Sequence, residues 1–318
     1  MEFCVCSDLH LGKYKNSYGR DRLADGLNAL EVVFATAARL DKVILMAGDL
    51  FNIVPLNPDV INQTLKFFLR MNQQYPGVVM YGISGNHDIS VNFTPEQQGV
   101  TALTAISETC PNFILMDHRV HTFSGGITLV GIPYYKYKEH FRTILESCTM
   151  DQGIRATAKA YLLTHQTPEG IIDLEVDFSP NDPILNPFSR VFNGHIHHHK
   201  DLGKVISVGN HAHLDKSDVD KEVGFLIYNT DTDTYTREIL SNQFPQFIVR
   251  PEGAELNEWE KQQMVIYETS MLDSNVSGSE KFSSSVSPQD ITETYIAEAN
   301  VDEAMARVGR SIVNRLNS

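Results

Sequence analysis

Five times before residue 200, a short apolar run stops at a cluster of Asp, Asn, His and Gly. Phe3 to Cys6 runs into Ser7-Asp8-Leu9-His10-Leu11-Gly12, Val43 to Ala47 into Gly48-Asp49-Leu50-Phe51, and Val78 to Ile83 into Gly85-Asn86-His87-Asp88. Further on, Leu162-Leu163-Thr164 leads to His165, and Val191-Phe192 leads to Asn193-Gly194-His195-Ile196-His197. In open α/β sheets, ligand sites collect outside the carboxyl ends of the strands, so five such ends predict one shared crevice.

The segments between the runs support an α/β layer fold. Arg20 to Leu40 reads as a helix, because Leu23, Leu27, Leu30, Val33, Phe34 and Ala37 recur at three- and four-residue spacing. Asp59 to Asn72 reads as a second helix, with Pro58 where a first-turn proline belongs. Together with the first three runs these predict a β-α-β-α-β start. Strands are expected at 113–116, 128–132, 161–163, 191–192, 205–208, 225–228 and 234–239, and helices at 96–108 and 138–149. The later strands are close together and turn-linked, so the sheets should be mixed. Cys4 and Cys6 alternate with Phe3 and Val5, which puts both thiols on one sheet face as small buried hydrophobes.

No apolar run approaches the roughly 20 residues needed to span a bilayer, and no basic, then apolar, leader opens the chain. The four cysteines are scattered without a Cys-x-x-Cys pair, so neither a zinc ribbon nor a disulfide framework is indicated. The expectation is a reduced, cytoplasmic protein with no membrane partner. The net charge of -14 argues against holding nucleic acid by bulk charge, since phosphate binding rests on Lys and Arg. The excess is uneven, however: residues 251–318 carry 5 basic and 12 acidic side chains.

Asp, His, Asp, Asn, His, His and His are oxygen and nitrogen donors with no thiolate, which suits Mn²⁺, Fe or Zn²⁺. Seven donors exceed one tetrahedral shell but suit two ions sharing a bridging carboxylate. In an extended Asp8-Leu9-His10 or His195-Ile196-His197 segment both outer side chains would point one way. Each fragment alone is weak, because an isolated Asp-x-His pair is more often a surface or capping feature. Five in this order, each after a strand, carry the argument.

The ordered set resembles the calcineurin-like metallophosphoesterase superfamily over residues 1 to 240. Within it, Ser-Asp-Leu-His-Leu-Gly, Gly-Asp-Leu-Phe, Gly-Asn-His-Asp and Gly-His-Ile-His are most similar to the SbcD-type double-strand-break repair nucleases, with the short length and compact tail of bacteriophage versions. The passage Val205 to Asn229 also resembles that family. The resemblance implies an αββα sandwich with mixed β-sheets and two divalent ions, most often Mn. It implies that Asp8, His10 and His197 hold one ion, that Asn86, His165 and His195 hold the other, and that Asp49 bridges them. His87 would stabilise or protonate the departing oxygen, with Asp88 orienting its ring. After Gly-Asp-Leu-Phe, cellular relatives usually place a nucleotide-positioning histidine where this chain has Asn52, which can donate a hydrogen bond but cannot shuttle a proton.

Three segments follow from this reading: a two-metal nuclease domain at 1–243, a reduced capping region and Ser-rich linker at 244–286, and a helical partner-binding tail at 287–318. Eight serines fall between 270 and 287, a composition that cannot repay ordering entropy. Ser287-Pro288 and Asn300 with Glu303 look like two helix starts, predicting a helix-turn-helix tail. Its stripe of Val301, Met305, Val308, Ile312 and Leu316 has helical spacing. The resemblance implies that this tail docks at the base of the coiled coil of an SbcC-type ATPase subunit, and a homodimer is compatible with it. Lys13, Lys15, Arg20 and Arg22, together with Tyr134-Tyr135-Lys136-Tyr137-Lys138, could hold double- or single-stranded DNA ends through phosphate contacts and base stacking; alternatively the tyrosines pack on the sheet. The competing functions are a hydrolase of a small phosphodiester or phosphoprotein, and a non-catalytic scaffold.

Overall fold

The computed structural model describes residues 1–13, 21–150, 154, 159–171 and 176–268. Lys15, Arg20 and the whole tail stripe from Val301 to Leu316 lie outside the described residues, as does the expected helix-turn-helix.

The opening unit is β1 (Glu2–Cys6), α1 (Arg22–Arg39), β2 (Val43–Met46), α2 (Pro58–Gln74) and β3 (Val79–Gly82). Asp21 caps α1 by accepting from the N–H groups of Leu23 and Ala24, and Asn57 caps α2 ahead of Pro58. Then come β4 (Ile89–Val91), β5 (Val100–Thr101), α3 (Leu103–Thr109), β6 (Phe113–Leu115) and β7 (Arg119–Thr122). β8 (Ile127–Gly131), α4 (Lys138–Met150), β9 (Lys159–Thr164), β10 (Arg190–Asn193), β11 (Lys200–Leu202) and β12 (Val205–Ser207) follow. β13 (Gly224–Asn229), β14 (Thr234–Ile239), β15 (Phe247–Pro251) and β16 (Met264–Glu268) complete the order.

Two six-stranded sheets result, β14-β13-β1-β2-β3-β6 and β11-β12-β10-β9-β8-β7. β1, β2, β3 and β6 run parallel, β13 pairs antiparallel to β1 and β14 antiparallel to β13, so the sheet is mixed as expected. Phe3, Val5, Leu45, Tyr161, Leu163, Phe192, Leu226 and Tyr228 form the layer between the sheets, with Tyr161 edge-on to Phe3 at 5.5 Å. Cys4 and Cys6 face the other way, into the core beneath α1 and α2. There Phe34, Phe67, Phe68 and Phe113 pack edge to face. Each fully buried ring contributes roughly 2–3 kcal/mol of burial energy. A third core, around Phe141, Leu145, Leu162 and Val191, covers the outer face of the second sheet. The architecture is thus an α/β sandwich of two mixed sheets with helices outside.

The helix expected at 96–108 is shorter and later, α3 at Leu103–Thr109. Thr94 Oγ1 accepts from the N–H groups of Glu96 and Gln97, closing a turn, and Val100-Thr101 pairs back on β4. Local side-chain hydrogen bonds of this kind compete with the helix. The short edge strands β7 and β11 lack an apolar run and carry no strand signal. β15 and β16, which fall within 244–286, pair in parallel. Arg22 ties this ribbon down: Nη1 reaches Met264 Sδ, Nη2 donates to the His213 carbonyl at 2.5 Å, and the guanidinium lies 5.3 Å from the Phe247 ring centre.

Candidate metal centre

β1, β2, β3, β9 and β10 all end at one place, as the five polar clusters require. Beyond the strands the backbone ladder continues: Asp8 N–H donates to the Gly48 carbonyl at 3.1 Å and His10 N–H to the Asp49 carbonyl at 3.0 Å. The first two loops are therefore knitted to each other. Asp8, His10, Asp49 and His195 have φ of 53°, 45°, 55° and 74°. Non-glycine residues seldom adopt this left-handed conformation, which costs about 1–3 kcal/mol each and concentrates at functional sites. The segments are therefore not extended, and these side chains converge through left-handed turns rather than strand alternation.

Two glycines make room. A Cβ on Gly85 would stand 2.1 Å from Asp49 Oδ1, and one on Gly194 would stand 2.0 Å from the Ala47 carbonyl and 2.6 Å from His165 Nδ1. Neither position accepts a side chain.

All seven expected ligands meet. His10 Nε2 is 3.2 Å from His197 Nε2 and 3.9 Å from Asp8 Oδ1. On the other side, Asn86 Oδ1 lies 2.9 Å from His195 Nδ1 and 3.1 Å from His165 Nε2. Asp49 Oδ2 stands between the two groups, 3.5 Å from His10 Nε2 and 3.2 Å from His165 Nε2. The other Asp49 oxygen accepts from the His87 N–H at 2.9 Å.

Protonation decides what such a cluster can hold. Burial holds His10 and His195 down at about 3, so both are neutral at pH 7. His165 Nδ1 faces the Ala47 carbonyl at 2.6 Å; a carbonyl only accepts, so this nitrogen carries the proton and Nε2 turns to the cluster. Burial raises Asp8, while Asp49 is held below the usual carboxylate range because, against its own burial, the neighbouring His165, His10 and His87 together favour the ionised form. Two buried carboxylates and the lone pairs of converging imidazoles repel one another unless a cation lies among them. Spacings near 3.0–3.5 Å are those expected of neighbouring donors about 2.0–2.2 Å from a shared ion. The donors are nitrogen and oxygen only, so the residues fit the two divalent ions expected.

His87 is also within reach of this group, its ring 4.7 Å from that of His10. Its Nδ1 lies 2.6 Å from the Asn52 carbonyl, so Nδ1 donates and Nε2 is the nitrogen left for chemistry. This corrects the role expected of Asp88. The Asp88 carboxylate accepts instead from the N–H groups of Phe51 at 2.9 Å, Gly85 at 3.0 Å and Leu50 at 3.3 Å, far too committed to orient an imidazole. Asp88 clamps the second loop to the third, and burial pushes it up to about 8. Behind it, Asp117 accepts from Ser84 N–H at 2.8 Å and Ser84 Oγ at 2.6 Å.

Tyr135 is corrected too. It is buried against Phe141 and Leu145, and its hydroxyl meets His118 Nε2 at 2.6 Å, so it touches no substrate. Tyr134 takes the site-facing place, its ring 5.7 Å from that of His195. Residue order alone does not choose between the two, because Pro133 interrupts the alternation of β8. Lys136 is exposed, with Nζ over the Tyr137 ring. Lys13 Nζ pairs with Asp215 at 2.9 Å, which engages its charge. Asn52 contributes its backbone carbonyl rather than a charged side chain. Two open pockets flank the cluster, one lined by His197, His198, His199, Lys221, Glu222 and Arg237, the other by Tyr134, Lys136, Tyr137, Glu139, Thr167 and Asp177.

Among described residues, no helix is long and apolar enough to cross a membrane. No curated protein matches the chain. Similar solved structures include a Thermus thermophilus protein, 12% identical over 75% of this chain and 98% of that one, TM-score 0.48. An archaeal phosphodiesterase is 10% identical over 76% of this chain and 100% of that one, TM-score 0.39. The sequence model of the calcineurin-like phosphoesterases matches residues 1–199, the stretch that holds all seven candidate ligands and His87. On that match the chain belongs to the calcineurin-like phosphoesterase family, the metal-dependent phosphoester hydrolases.

Proposed function

We propose that this protein is the nuclease subunit of an SbcD-type complex, cleaving phosphodiesters at DNA ends with Mn²⁺ and a coiled-coil ATPase partner. The observation that carries the phosphodiesterase part is the Asp49 carboxylate shared between two donor groups, with His87 fixed beside them. Asp8, His10 and His197 would hold one ion, Asn86, His165 and His195 the other, and Asp49 both. When bound, two divalent ions supply positive charge for the phosphate and lower the pKa of water to near neutrality. His87, pinned through Nδ1, presents Nε2 for proton donation to the departing oxygen.

Three features support DNA as substrate. The order Gly-Asn-His-Asp and Gly-His-Ile-His resembles SbcD-type nucleases. In the groove lined by His197, Lys221, Glu222 and Arg237, where Arg237 is paired with Glu222, Lys221 can meet a phosphate beyond the scissile one. The stripe Val301, Met305, Val308, Ile312 and Leu316 suits docking on a partner helix. The division into a catalytic domain at 1–243, a reduced cap at 244–286 and a tail at 287–318 belongs to the same proposal.

Incubation of the purified chain with Mn²⁺ and end-labelled DNA, with and without a coiled-coil ATPase, tests it. Shortening of labelled ends that the ATPase accelerates is the expected result. The net charge of -14 favours the second reading, a hydrolase of a small phosphodiester or phosphoprotein. Activity on a small ester with none on DNA under any condition selects that reading.

A further inference from the structure

Tyr134 stands where the metal cluster meets a pocket of about 460 Å³ lined by Tyr134, Lys136, Tyr137, Lys138, Thr167 and Asp177, with Glu139. Its backbone N–H donates to the Ser84 carbonyl at 2.9 Å, which ties it to the loop carrying Asn86 and His87. Its ring leans on His195 at 5.7 Å and 38°, and stands edge-on to His165 at 6.3 Å and 79°. The phenol thus packs beside two candidate ligands and also lines the pocket. Thr167 N–H donates to Asp177 at 2.8 Å, which ties these two lining residues together. Tyr137 is half exposed at the rim, with Lys136 Nζ 5.6 Å from its ring centre.

We propose that this pocket takes the nucleoside attached to the scissile phosphate, with the base stacked on Tyr134, and that Tyr134 makes the enzyme select nucleoside esters over plain alkyl esters. The chemistry of the walls decides the class. Two aromatic rings suit a flat, uncharged heterocycle, and a threonine and a carboxylate can meet the polar edges of a base or sugar. Lys136, exposed over the Tyr137 ring in the same lining, can meet a following phosphate. Stacking is tolerant of sequence, since every base has a π-face, so the pocket would not read one base over another. The proposal rests on the phosphodiesterase reading of the metal centre and is independent of whether DNA is the substrate.

The test is a binding measurement on the full Mn²⁺-loaded chain, comparing deoxyadenosine monophosphate with methyl phosphate by calorimetry. Wild type should bind the nucleotide about tenfold more tightly or better. Tyr134→Ala should erase that difference while Tyr134→Phe, which keeps the π-face, preserves it. Equal affinities in wild type, or a preference that survives in Tyr134→Ala, would overturn the proposal and leave Tyr134 as packing for His195. If Tyr134→Ala fails to fold, Tyr134→Leu, which fills the space without a π-face, gives the same reading. Rates on thymidine p-nitrophenyl phosphate and methyl p-nitrophenyl phosphate separate the two claims. Nucleotide preference in binding with no turnover of either ester sinks the hydrolase reading and leaves the pocket standing; turnover of both at equal rates, without binding preference, does the reverse.

Discussion

His87 Nδ1 lies 2.6 Å from the carbonyl oxygen of Asn52. The bond fixes the tautomer, because a carbonyl cannot donate, and it aims Nε2 into the crevice without using any carboxylate. A backbone atom holds the ring, so the identity of the Asn52 side chain is irrelevant to the orientation of His87. The His87 ring is therefore held by the main chain whatever side chain stands at position 52.

His87→Ala should reduce kcat by about a thousandfold, the ordinary scale for losing a general acid. The number of bound ions should not change. Stopped assays on a small phosphodiester, paired with metal analysis of the same preparation, check both. Loss of an ion would make His87 a ligand instead.

Asp88→Asn should destabilise the metal-free protein by only about 1 kcal/mol in urea unfolding, because one N–H loses its acceptor while the burial cost of the carboxyl charge is relieved. The amide presents a donor to backbone N–H groups that now have acceptors, leaving at least one of them buried and unpaired. The pH-rate profile should keep its shape, since Asp88 does not touch His87. A shift in the acidic pKa of that profile would reinstate Asp88 as the residue that tunes the imidazole.

Asp8→Asn should make the metal-free protein more stable, by about 1 kcal/mol, while weakening metal binding. Burial opposes the Asp8 charge, and a neutral isostere relieves that cost. Ser7 Oγ, now 2.6 Å from Asp8, also lies 3.1 Å from the Ala47 carbonyl and can donate there while accepting from the new amide. Thermal unfolding with chelator and then with Mn²⁺ should show opposite signs for the two effects.

Stability should fall as pH drops from about 6.5 toward 4, in part through His211. It is fully buried, and burial lowers it to about 4. A depressed folded-state pKa means the neutral form is favoured by folding. Its contribution is complete above the unfolded pKa and is lost as pH falls through the window. The full shift is worth about 3 kcal/mol. His211→Gln should flatten the dependence of unfolding free energy on pH across that window by about one proton, and an unchanged slope would assign the effect to other histidines.

Much of this centre was legible in the chain because its chemistry is written at strand ends. Asp8, Asp49, Asn86, His165 and His195 each follow an apolar run, and parallel strands deliver such residues to one edge. The facing of Cys4 and Cys6 away from Phe3 and Val5 was readable for the same reason, the two-residue period of a strand. Three things were not readable. The left-handed turns at Asp8, His10 and Asp49 go with the loop-to-loop ladder, which joins residues about forty positions apart, and that at His195 with its N–H bond to the Asp8 carboxylate. The family resemblance implies that Asp88 orients the His87 ring, yet its partners are backbone N–H groups, which carry no sequence signature. Tyr134 and Tyr135 are adjacent and alike, and only the turn after β8 decides which one enters the core.

The claim that Asp49 joins two metal positions is tested most directly by anomalous diffraction from crystals grown with Mn²⁺. Two peaks are expected, one beside Asp8, His10 and His197 and one beside Asn86, His165 and His195, with the Asp49 carboxylate touching both. A single peak, or a second ion held by His87 and not by Asn86, would contradict the account.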